Sequence, residues 1–219
     1  MIGNPMIFAR LCLGMLIGIT SLSASPLMQR QKQAGSTMDS IDQRMIEKFA
    51  EFEKKRDPVS VYEILDSVEA AESAMPAGDA AARKLAVSRR LRFFAALDRN
   101  IDPMWNPKDV PPHGVPPPPG WHGMVYSSGE VDPEKIPDPE VRAQYVQALK
   151  ANKAAQQRYS VQLQLRRIDE RAMRFFERFL SDRYPNTEQD RQEFEELLAV
   201  SPVNEIRKER LRALMAKPR

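Results

Sequence analysis

Eleven of the chain's eighteen prolines fall within residues 101–139, and that segment constrains everything around it. Each proline ring removes a backbone donor and restricts the residue before it, so neither helix nor central strand fits here. The quartet Pro116 to Pro119 predicts a short polyproline II stretch. Both tryptophans (Trp105, Trp121) and both histidines (His113, His122) lie in the same segment. Aromatic residues are scarce in chains that stay unfolded. The reading is therefore a semi-rigid strap laid across helices and pinned by Trp105 and Trp121.

On either side the pattern is helical. Met38, Ile41, Met45, Phe49 and Phe52 recur at three- and four-residue spacing, and Asp57-Pro58 ends that run. Ser60 and Glu63 have capping-box spacing for a second helix carrying Val61, Leu65, Val68 and Met75, closed by Pro76-Ala77-Gly78. A third helix over 79–98 places Val87, Leu91 and Phe94 on one side, with Arg90 and Leu97 near its edges. Asp138-Pro139 opens a stretch without glycine or proline that continues to about Arg183. Within it Val141, Tyr145, Ala148, Ala155 and Tyr159 share one side. Val161, Leu165, Ile168, Ala172, Phe175 and Phe179 share nearly the opposite one. The apolar face changes near Ser160, which means one long helix facing two bodies or a kink there. Two short helices follow, one opened by Thr187 with Asp190, the other by Ser201-Pro202 and carrying Val203, Ile206, Leu211 and Leu214.

The expected fold class is all-α: a helical bundle with a long proline-rich connecting strap and one long helix, continuous or kinked. Residues 38–100 form a hairpin plus a third helix, 101–139 the strap, and 140–219 the long helix and the C-terminal helices. Residues 38–219 are read as one domain. Residues 26–37 have no apolar period and are expected to be a mobile lead-in.

Residues 1–25 read as a secretory signal, because Arg10 precedes an apolar run from Leu11 to Leu22 and small residues follow. Cleavage is expected after Ser23 or Ala24; an uncleaved anchor is the alternative. Cys12, the only cysteine, lies in that run, so the processed chain would rely on packing without disulfides. With no Asn-x-Ser/Thr sequon, this points to a secreted or periplasmic protein of bacterial type.

Few reaction classes have their usual residues here. There is no glycine-rich phosphate loop, no HExxH and no GxSxG, and no cofactor is expected. His113 and His122, with Asp109, Glu130 and Asp132 nearby, are weak metal candidates, against which both histidines sit in turn-forming PPHG and GWHG pieces. Glu130 and Glu134 near Trp121 would support a hydrolase of cell-wall or other extracellular polymers, metal-dependent or not, sited on this loop. The same acids also suit turns and a helix start.

Arg83, Lys84, Arg89, Arg90 and Arg92 scatter around their helix, and earlier acids can compensate them. Nucleic acid is therefore not an expected partner, and no stable membrane span is expected once the leader is gone. The leading expectation is a non-enzymatic binding or scaffold protein whose partner is a protein, itself or an envelope component. Trp105, Trp121, Val141, Tyr145 and Tyr159 are its candidate contact residues, because the Val141 to Tyr159 side needs cover from the strap or from another chain.

Overall fold

The computed structural model describes residues 26–76, 78–185 and 187–216, with side chains from Ser40 onward. The proposed secretory leader lies outside the described residues, as does the side chain of Met38. Six α-helices and one 3-10 helix account for all regular structure among the described residues, which contain no strand. The helices are α1 (Pro26–Lys55), α2 (Val59–Ser73), α3 (Ala80–Asp98), α4 (Pro139–Arg183), α5 (Glu188–Val200) and α6 (Glu205–Ala216); the 3-10 helix is Pro133–Lys135. The fold is an all-α bundle. Helix α1 begins at Pro26 and runs through the lead-in that was expected to be irregular. No helix among the described residues is long and apolar enough to cross a membrane.

Local start signals explain most boundaries. Asp79 caps α3 by accepting from the Ala82 amide, and Thr187 with Asp190 forms a full capping box on α5. The capping box expected of Ser60 and Glu63 does not form. Pro58 precedes the first helical residue, the Asp57 carboxylate accepts from the Val59 amide, and the Ser60 hydroxyl donates to the Asp57 carbonyl. Glu63 instead pairs with Lys48. The proline lacks an amide and sets its own φ near helical values, so the helix starts beside it and Ser60 becomes its second residue, past the capping position.

Residues Met38–Arg219 make one compact unit. Its centre is α3, which is buried nearly all round through Val87, Leu91, Phe93, Phe94 and Leu97. Phe49 from α1, Phe176 from α4 and Phe194 from α5 are equally inaccessible in the same core.

Two arginines enter this core as well. Arg90 is fully buried, hydrogen-bonded through two nitrogens to Glu72, and ringed by Phe93, Phe94, Phe175 and Phe176 at 5.6–6.0 Å. Burial pushes the Glu72 carboxyl above the usual carboxylate range, against the pull of Arg90. Arg207 of α6 lies 4.6 Å from the Phe94 ring centre and bonds Asp98 and Asp169. It takes the inward place expected of Ile206. Arg207 is 7% exposed and Ile206 82%, because two carboxylates await a cation on that side. The α3 cations are likewise paired within the bundle: Arg83 with Asp190, Lys84 with Glu193, and Arg89 and Arg92 with Asp42.

Helix α4 runs unbroken for 45 residues, about 68 Å at 1.5 Å per residue, so it does not divide into two at Ser160. Its C-terminal half carries Leu165, Ile168, Ala172, Met173, Phe176 and Phe179 into the core. Over the N-terminal half only Tyr145 is buried, and what covers it comes from the strap.

Candidate functional site

The N-terminal half of α4 and the proline-rich segment together form an arm. Asp138 accepts from the Glu140 and Val141 amides, with Pro139 at the first helical position, so the helix has a firm start. The preceding chain then runs antiparallel along one side of it. Near the body, Gln162 donates to the Asn100 carbonyl and accepts from the Asp102 amide, while Arg166 donates to the Asp102 carbonyl. Tyr159 donates to the Pro107 carbonyl at 2.8 Å and lies 5.4 Å from the Trp105 ring. Asn152 and Gln156 donate to the Pro112 carbonyl, and Gln156 also to that of His113.

Farther out the arm has a small core of its own. Val131, Ile136 and Tyr145 are buried together, with Val115, Trp121, Val141 and Leu149 packed against them. The Tyr145 hydroxyl accepts from the Val131 amide at 3.0 Å and donates to the Val115 carbonyl at 3.1 Å. Arg142 donates through two nitrogens to the Ile136 carbonyl. Two glycines let the strap fold back on itself. A Cβ on Gly114 would collide with the Ser128 carbonyl oxygen, and Gly129 adopts φ +84° where its amide closes a turn onto Tyr126.

A proline-rich chain has carbonyls in excess of donors, and α4 supplies the donors from side chains. Asn152, Gln156, Tyr159 and Gln162 fall on one face at helical spacing, and each bond contributes about 1 kcal/mol. These amides were absent from the sequence-based candidates. Their alignment opposite a proline-rich segment was the signal that could have found them.

All five sequence-predicted contact residues lie within this arm. Trp105 meets Tyr159, and Trp121, Val141 and Tyr145 share the small core. The side that needed cover receives it from the strap of the same chain. His113 and His122 are exposed, Glu130 is half-buried beside the Ser128 hydroxyl, and Glu134 is exposed. No group of three or more metal-capable side chains forms among the described residues.

The arm's two segments differ in charge. Residues 141–168 of α4 hold six cations (Arg142, Lys150, Lys153, Arg158, Arg166, Arg167) and no acid, whereas residues 101–138 hold six acids and two lysines. Along the strap Met104 is 86% exposed and Met124 68%, and Val110, Val125 and Tyr126 are exposed as well.

The body offers two neighbouring clefts at the C-terminal end of α4. One, of about 210 Å³, is lined by Glu72, Phe175, Arg178, Phe179 and Asp182; the other, of about 280 Å³, by Met75, Arg83, Asp182, Arg183 and Tyr184. Glu72 is committed to Arg90, Arg83 to Asp190, and Arg183 to the Met75 carbonyl.

No family model, no curated protein and no solved structure matches the chain.

Proposed function

We propose that this chain is a non-enzymatic binding or scaffold protein of the bacterial cell envelope or exterior, and that the arm is its contact element toward a protein. The observation that supports this is the set of exposed apolar side chains, Met104, Val110, Met124, Val125 and Tyr126, on a strap whose backbone is fastened to α4 at many points. Apolar side chains gathered on one exposed element mark contact surfaces. A backbone already held in place loses little further freedom on binding, so more of the burial energy remains as affinity. Tyrosine and methionine also suit such a role, one as a rigid amphipathic anchor and the other as an adaptable one.

Photo-cross-linking in the native cells tests this reading. A photoreactive residue at Met124 or Tyr126 is expected to give a defined protein adduct, while the same residue at Ile206 or Val200, even more exposed on the body, gives none. Adducts from the body positions alone would contradict it. N-terminal sequencing of the protein from those cells tests the export part, with a start after Ser23 or Ala24 as the expected result.

A further inference from the structure

We infer that the arm's partner is the arm of a second copy of this chain, with the acidic, apolar strap of one copy seated on the cationic outer face of α4 in the next; this rests on the binding role proposed for the arm. The argument begins with where ion pairs form. Every ion pair among the described residues lies in the body, from Lys48 with Glu63 to Arg212 with Glu195. The arm contributes none, although it carries six cations on its helix and six acids on its strap.

Geometry explains the difference. At about 100° per residue, Lys150 and Arg158 point away from the Tyr145, Gln156 and Tyr159 side that holds the strap, and Lys153 lies on its flank. All three cations are exposed, and so are Ala143, Ala151 and Ala154 between them. Asp102, Asp109, Glu134 and Asp138 are exposed along the strap. Arg142 and Arg166 are spent on strap carbonyls, which leaves Lys150 and Arg158 exposed on the side opposite the mainly acidic strap and displayed toward a neighbour.

Charge alone would not hold such a contact, since an exposed pair contributes about 0–1 kcal/mol. It sets orientation and suppresses the alternatives: strap on strap brings acid to acid, and helix on helix brings cation to cation. The exposed apolar side chains of the strap supply the rest. Met104, Met124 and Tyr126 meet, on the neighbour, small alanines flanked by the aliphatic stems of lysine and arginine. A polyanion or an anionic lipid surface would engage the helix face and leave the apolar strap uncovered, whereas a second copy covers both. Because the two surfaces lie on opposite sides of the arm, a two-fold dimer cannot pair them. The contact is head-to-tail and adds copies.

The test is light scattering on the full chain purified from its own cells, over a concentration series at about 0.02 M and about 0.5 M salt, where screening differs strongly. At low salt the average mass is expected to rise past that of two copies and to fall toward one copy at high salt. Reversing the helix face (Lys150→Glu, Lys153→Glu, Arg158→Glu) is expected to weaken association about tenfold or more, and so is reversing the strap (Asp109→Lys, Glu134→Lys). Mixing the two reversed proteins is expected to restore growth that neither shows alone, a result that misfolding cannot mimic. A single-copy mass at every concentration and salt would overturn the inference, as would reversals that leave assembly unchanged. A monomer that binds vesicles of phosphatidylglycerol and phosphatidylcholine through the helix face would also overturn it. A monomer that still cross-links another protein from Met124 would overturn the self-contact while leaving the arm's binding role intact.

Discussion

The body and the arm share one helix and are built by different means. In the body, α4 packs into a core of thirty buried apolar side chains among the described residues; in the arm, the same helix has three. The body's ion pairs join side chains to side chains, as in Arg90 with Glu72 or Arg207 with Asp98 and Asp169. Between the strap and α4, the arm's bonds join side chains to backbone groups, most of them carbonyls, from Gln162 at one end to Arg142 at the other. Burial is cooperative and hard to undo locally, whereas a row of side-chain-to-carbonyl bonds can open piecemeal. A single continuous helix can therefore be rigid at one end and adaptable at the other.

The comparison breaks most sharply at the buried pair. Glu72→Ala leaves the Arg90 guanidinium without a counter-charge inside the core and is expected to cost about 3–5 kcal/mol of global stability, measured by denaturant titration. Replacing both partners, Glu72→Leu with Arg90→Met, is expected to recover most of that loss. A loss under about 1 kcal/mol for Glu72→Ala would mean that water reaches the pair.

Alkaline pH probes the body next. Tyr184 is 3% exposed and burial pushes its hydroxyl up to about 12, so the folded state keeps the proton that the unfolded state loses above pH 10. This stabilising contribution is complete below pH 10 and falls as pH rises toward 12, by about 2 kcal/mol. Tyr184→Phe is expected to flatten that part of the stability profile.

The arm responds to smaller changes and reports them separately, because both tryptophans lie in it and none in the body. Tyr145→Phe removes the hydroxyl bonded to Val131 and Val115 and is expected to weaken the arm by about 1–2 kcal/mol. Tryptophan fluorescence should show an earlier transition while the main far-ultraviolet transition stays in place. If the two shift together, body and arm unfold as one unit. Asn152→Ala deletes one exposed bond to the Pro112 carbonyl and is expected to change the fluorescence midpoint by about 0.5 kcal/mol or less.

Much of this arrangement was legible in residue spacing and start chemistry. The change of apolar face near Ser160 marks where α4 leaves the core, and Thr187 with Asp190 and Asp138 with Pro139 mark helix starts that form as expected. Other features depend on partners distant in sequence. Arg207 displaces Ile206 from the interior because Asp98 and Asp169 lie there, which spacing within α6 cannot reveal. Ser60 lost its cap to the neighbouring Pro58 for a local reason that the motif alone does not encode. At the candidate site, Trp105 packs on Tyr159 and Trp121 against the small core, and the structure adds the Asn and Gln side chains that hold the strap. Those residues carry no motif; their role follows from proline's shortage of donors.

Native-state hydrogen exchange along α4 tests most directly the claim that one unbroken helix belongs to two differently held regions. Amides from Leu165 to Leu180 are expected to exchange only through global unfolding, and amides from Tyr145 to Tyr159 at a distinctly lower opening free energy that drops further in Tyr145→Phe. Uniform protection along the whole helix, unchanged by that substitution, would contradict the account.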